Sequence, residues 1–182
     1  MAKFFEQINT EIQQFLESAP VFFVATAPLA ASGRVNVSPK GHDTFRVLAP
    51  NRIAYLDMTG SGNETASHVS ENGRLTIMAC AFSGKPEIVR IYCSGRAVTR
   101  SSAEWKRLIS LFPAQPGTRQ IIVGDVLSLQ TTCGYAVPEM TLRSPRQTLQ
   151  RWAEGKGEDE LVEYRRTKNQ KSIDGVIAPA TD

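Results

Sequence analysis

The feature that most constrains this chain is a series of short β-branched and aromatic runs that follow one another with few helices between them. Val21 to Ala27, Arg34 to Lys40, Arg52 to Met58, Arg74 to Ala81, Ile88 to Thr99 and Gln120 to Thr132 each read as a strand. Pro28 to Gly33, Asn72-Gly73 and Ser83 to Pro86 supply turn chemistry between them. A doubly wound parallel sheet needs a crossover, usually a helix, after nearly every strand. About six strands with few helices fit a mainly β fold instead: a closed antiparallel barrel with peripheral helices.

The helical signals lie at the ends of the chain and in two gaps. Phe4, Phe5, Ile8, Ile12, Phe15 and Leu16 recur at three- and four-residue spacings, which predicts an opening amphipathic helix ended by Ser18-Ala19-Pro20. Ser61 with Glu64 matches a capping box for a short helix that Asn72-Gly73 stops. Ser101 with Glu104 predicts a second such start, for a helix through Phe112. Ser144-Pro145 reads as a cap with proline at the first helical position. Leu149 and Trp152 then share one helical face, and Leu161 and Tyr164 a face of the next helix. With no repeat or low-complexity linker, the expectation is a single domain over 1–182. Its core would span about 19–135 and its helical C-terminal extension about 144–182.

Composition narrows the function classes. The chain has 182 residues and a net charge of +3, too small an excess to suggest dedicated nucleic-acid binding. Cys80, Cys93 and Cys133 are odd in number and widely spaced, without the clustering of a zinc site or a disulfide framework. No basic-then-apolar leader opens the sequence, and no run approaches the ~18 apolar residues of a membrane span. The expectation is a cytoplasmic protein.

Three stretches bear on chemistry. Arg34, Asn36, Ser38 and Lys40 alternate with Val35 and Val37, so a strand here has one polar and one apolar face. A solvated edge-strand face is one reading, and Pro39 suits it; a ligand-facing strand is the other. Thr59 to Thr65 combines two glycines, three hydroxyls and an asparagine at a predicted helix start, where free amides and the helix dipole favour an anion. It is neither a Walker loop nor GxGxxG, and a purely structural turn remains the alternative. Arg90 sits amid Ile88, Val89, Ile91 and Tyr92, so it needs either solvent or an anionic partner.

The order of these pieces resembles the pyridoxamine 5'-phosphate oxidase-like superfamily of FMN-binding split barrels. The resemblance is carried by R-V-N-V-S-P-K-G from Arg34, Y-L-D-M-T-G-S-G-N-E-T from Tyr55, the helix ending N-G-R, and R-I-Y-C-S-G from Arg90. It covers about Ala19 to Thr99, and Q-T-T-C-G-Y-A-V-P and K-N-Q-K-S-I-D-G look like segments of a branch other than the true oxidases. The resemblance implies a homodimer with FMN in clefts between subunits. By position, it places Arg34, Asn36, Ser38 and Lys40 along the flavin or ligand and Met58 and Thr59 at the ring or ribityl chain. Ser61, Asn63 and Thr65 fall at the phosphate, and Arg90 at a further FMN contact.

Two departures separate this chain from the true oxidases. Their Arg-Lys pair in the phosphate-binding helix is replaced here by Thr65-Ala66, and their arginine-bearing C-terminal motif is missing from Gly175 to Asp182. Pyridoxamine phosphate is therefore not the expected substrate. The expected activity is that of an FMN-dependent oxidoreductase acting on a small redox substrate. The alternative is a non-catalytic flavin- or haem-binding protein, for which His42 or His68 would be the axial ligand. No metal site and no catalytic acid or base are apparent.

Overall fold

A computed structural model describes residues 2–181. The elements run β1 (Lys3–Phe5), α1 (Thr10–Ser18), β2 (Phe22–Thr26), β3 (Asn36–Lys40), β4 (Phe45–Ala49), β5 (Arg52–Met58), α2 (Glu64–Asn72), β6 (Arg74–Cys80), β7 (Ile88–Val98), α3 (Trp105–Ile109), β8 (Thr118–Thr132) and α4 (Thr148–Lys168). The sheet is antiparallel, ordered β3-β2-β6-β7-β8-β5-β4, with β1 added to β8. It curls around one core in which Val24, Ile53, Ile77, Ile91, Ile122 and Leu129 are fully or almost fully withdrawn from solvent. Phe22 anchors one end of that core, its ring edge-on to Phe45 at 5.2 Å and to Tyr55 at 5.5 Å. Such pairs add directional preference to the area they bury. No described helix is long and apolar enough to cross a membrane.

Several local expectations are corrected. The chain opens with a strand, because Lys3, Phe4 and Phe5 pair with Thr131, Gln130 and Leu129 of β8. The helix begins only at Thr10, where the Asn9 side chain accepts the Ile12 amide at 2.8 Å. Ser61 does not cap α2: Asn63 occupies the N-cap position, and the Glu64 carboxylate turns away to accept the Ile173 amide. Ser101 likewise does not begin α3, which starts after Glu104 and ends at Ile109 rather than Phe112. Ser144-Pro145 lies in an irregular segment, and α4 starts at Thr148. Gly157 breaks α4 with φ 73°, so it is two helices in sequence, as the two apolar faces implied. β4 was not anticipated.

The expected stop at Gly73 is present, with φ 72° and its amide bonded to the Val69 carbonyl. α2 thereby lies close over β7. Gly95 of β7 is hemmed in by both neighbours, since a methyl there would stand 2.9 Å from Leu75 Cβ of β6 and 3.0 Å from Val69 Cγ1 of α2. Gly95→Ala should therefore cost about 1–3 kcal/mol of stability, the usual penalty for overpacking. A urea titration checks this: the midpoint should fall, and an unchanged midpoint would mean that Leu75 and Val69 are not held at those distances.

Candidate functional site

β3 is an edge strand with inverted polarity. Its register with β2 pairs Asn36 with Thr26, Ser38 with Val24 and Lys40 with Phe22, so its polar side chains share the face of buried core residues. Val37, by contrast, is 60% exposed and shares the outer face with Ala25, Thr76 and Tyr92. An isolated β-barrel would place these the other way round.

The inward face of β3 meets the segment from Met58 to Thr65. Asn36, Ser38, Lys40, Met58, Gly60, Ser61, Asn63 and Thr65 line one cleft of about 250 Å³, together with Asp57, Gly62, Glu64 and Arg119. Lys40, Met58 and Gly60 also line a larger cavity of about 930 Å³. Its walls add Phe22, Phe45 and, from the segment before α4, Leu142 and Arg146. His42 lines it too, with a left-handed φ of 59°, a conformation uncommon outside glycine.

Beneath the cleft is a buried ionic cluster that sequence reasoning missed. Asp57 accepts hydrogen bonds from Arg119 (3.1 and 2.7 Å), Gln120 Nε2 (2.8 Å) and Lys40 Nζ (3.1 Å). Burial alone would push its carboxyl up. The charges of Arg119 and Lys40, with the bonds from Gln120 and Arg119, outweigh burial and hold it well below the usual carboxylate range. Arg119 also donates to the Gly62 carbonyl at 2.9 Å, and Gln120 to Asn63 Oδ1 at 2.7 Å. The cluster thus holds both the lysine of β3 and the turn. Tyr55, fully buried, is pushed well above the ordinary phenol range by burial first and by the Asp57 charge second.

The remaining candidate residues differ in what they can offer. The Asn63 side chain is committed to Gln120 and to the Asn169 carbonyl, which leaves its backbone for a ligand. Thr59 is buried, accepting from Arg165 and donating its amide to Gly117. Among the described residues, the amides of Ser61, Gly62, Glu64 and Thr65 have no protein acceptor. Lys40 and Arg119 are balanced by Asp57 and Glu64, so attraction for an anion rests on these amides, the α2 dipole and the hydroxyls. A phosphate fits that donor set; a whole flavin does not fit in 250 Å³ and would need the adjoining cavity.

Arg34 and Arg90 lie outside the cleft. Arg34 is exposed and bound to Asp174 through its amide and guanidinium. Arg90 is on the outer sheet face opposite Met78 and Gln130, donating to Thr132 Oγ1 at 3.3 Å. His68 is fully buried, with Nδ1 3.0 Å from Thr26 Oγ1, and is not accessible as an axial ligand in this arrangement.

Asp57→Asn should destabilise the protein by about 3–5 kcal/mol at neutral pH, as expected when a buried ion pair loses one partner. Because the folded carboxyl titrates lower than an ordinary aspartate, its contribution is complete above about pH 4 and fades as pH falls through the folded value. Denaturation of parent and variant across pH should show the difference shrinking in acid. A difference constant with pH would mean that packing, not charge, sets the cost.

Comparison with known proteins places this geometry in a family. A family model described as pyridoxamine 5'-phosphate oxidase matches residues 8–133. The pyridoxamine 5'-phosphate oxidase family protein ustO of Aspergillus flavus is 33% identical over 193 residues, an alignment covering 97% of this chain and 77% of that protein. Among solved structures, a variant of HupZ from Group A Streptococcus shares the fold with TM-score 0.54 at 17% identity, over 69% of this chain and 99% of that one. A putative pyridoxamine 5'-phosphate oxidase from Lactobacillus delbrueckii does so with TM-score 0.53 at 15% identity, over 69% and 94%. The split-barrel fold, the family model and the fungal relative agree: the chain belongs to the pyridoxamine 5'-phosphate oxidase family.

Proposed function

We propose that this protein binds FMN and acts as a flavin-dependent oxidoreductase, working as a homodimer. The observation that carries the reading is the inverted polarity of β3. Its polar face turns inward onto a cleft that ends at unbonded helix-start amides, while its valines face out. In this reading the amides of Ser61, Gly62, Glu64 and Thr65 hold the phosphate, with the Ser61 hydroxyl beside them. Asn36, Ser38 and Lys40 orient the rest of the flavin along β3, and Met58 borders the passage into the larger cavity. When bound, the flavin supplies the redox chemistry, and the protein supplies binding, orientation and electrostatics.

The outer sheet face supports the dimer. Pro39, Phe23, Met78, Arg90, Gln130 and Phe4 form one row across neighbouring strands, and Val37, Ala25, Thr76 and Tyr92 the next. Phe4 is 71% exposed in the single subunit, an apolar surface that a partner would cover. Arg90 lies within this face, so it is a cofactor contact only in the dimer.

Titrating FMN into the purified protein tests the reading. Flavin fluorescence should be quenched and the melting temperature should rise, by an amount equivalent to ~2.7 kcal/mol at a hundredfold excess over Kd. Ser38→Leu should abolish most of the quench while leaving the apo melting temperature near the parent's. Unquenched fluorescence and an unmoved melting temperature in the parent protein would end the proposal. Anaerobic mixing of the FMN-loaded protein with NADH or NADPH separates an oxidoreductase, whose flavin bleaches, from a protein that only holds the cofactor.

A further inference from the structure

The segment after α4 folds back as a hairpin, and it bonds to the turn at the start of α2. The Ser172 amide donates to Val176 and Ala178 to Gln170, Lys171 bridges Ile177, and Gly175 turns the chain with φ 83°. Asn169, at the C-cap of α4 and only 3% exposed, is the point of attachment. Its Oδ1 accepts from Arg119 at 2.8 Å, its Nδ2 donates to the Gly60 carbonyl at 3.0 Å, and its own carbonyl accepts from Asn63 at 3.2 Å. Further along, the Ile173 amide holds Glu64 Oε1 at 2.9 Å, and Asp174 binds the Arg34 amide at 2.7 Å.

These bonds act on carbonyls and side chains of the turn and leave its amides free. Satisfying the Gly60 and Gly62 carbonyls fixes the two peptide planes that carry the Ser61 and Asn63 amides, so those amides have a set direction. Holding Glu64 matters as well. A carboxylate in the first turn of a helix is itself attracted to the amides there and would compete with a phosphate. The Ile173 amide occupies one of its oxygens.

We propose that Asn169 is a positioning residue. Through it the C-terminal hairpin presets the Gly60–Glu64 turn for a phosphate, and so makes the site select FMN over unphosphorylated riboflavin. This rests on the FMN reading above. The bonds of Asn169 itself fall on the turn and on Arg119, whereas the hairpin reaches the approach to β3 through Asp174 at Arg34, so losing the Asn169 side chain acts chiefly on the phosphate rather than on the common part of the two ligands.

The test is a paired titration of FMN and riboflavin into the parent, Asn169→Ala and Gly175→Val, with thermal melts of each apo protein. The parent should bind FMN more tightly than riboflavin. Asn169→Ala should raise the FMN Kd about tenfold or more, the scale of one lost buried hydrogen bond, while the riboflavin Kd changes less than about threefold. Gly175→Val strains the hairpin turn through its left-handed φ of 83°, at a position where a Cβ meets nothing within 4 Å. It should shift the FMN-to-riboflavin ratio in the same direction and decides the matter should Asn169→Ala fail to fold. A folded Asn169→Ala with the parent's ratio overturns the proposal, as does an unchanged ratio in Gly175→Val if the first variant does not fold. A parent that binds FMN no better than riboflavin also overturns it. A parent that binds neither removes the FMN reading and this proposal together, a result distinct from the others.

Discussion

The buried carboxylate of Asp57 is the interaction on which the rest of the site depends. It lies at the end of β5 and draws together Lys40 from β3 and Arg119 and Gln120 from β8. A carboxylate withdrawn from water is costly unless its hydrogen-bonding capacity is filled, and three donor side chains fill it here. Arg119 and Gln120 pass the constraint onward to Gly62, Asn63 and Asn169. One charge therefore fixes the spacing between the edge strand, the turn before α2 and the C-terminal hairpin.

β3 carries two unfavourable faces in one short strand. Its outward valines are unfavourable in a lone subunit, and its inward serine and asparagine are unfavourable in a packed core. Both costs fall if a partner covers the outside and a polar ligand lies along the inside. The two requirements reinforce each other, because the same short strand carries both faces.

Much of the barrel was legible in the sequence, for identifiable reasons. β5, β6 and β7 are apolar runs bounded by turn residues, and Asn72-Gly73 gave an unambiguous stop that the αL conformation of Gly73 explains. β1 was misread as helix because Phe4 and Phe5 stand at helical spacing from Ile8 and Ile12, and only pairing with a strand 126 residues away decides otherwise. β4, Phe45-Arg46-Val47-Leu48-Ala49, lacks clean alternation. Residue type singles out the turn and the β3 face, and eight of the ten candidate residues come together around the one cleft or, like Thr59, the cavity that adjoins it. The ionic cluster was missed because Asp57 and Arg119 are 62 residues apart. A signal existed: Asp57 ends the apolar run Ile53-Ala54-Tyr55-Leu56, and Arg119-Gln120 precedes Ile121-Ile122-Val123. A charge set against an apolar strand needs a partner at both positions, as it does at Arg90. Asn169 carried no comparable signal, since one polar residue after a helix is ordinary.

The central claim is that free amides at the start of α2 and the inward face of β3 together form a binding site for FMN. Amide hydrogen exchange of the intact protein, with and without saturating FMN, measures those groups directly. The account predicts slowed exchange confined chiefly to residues 36–40 and 60–66, with further protection on the outer sheet face if cofactor and dimer are linked. Slowed exchange elsewhere, with 60–66 unchanged by FMN, would contradict it.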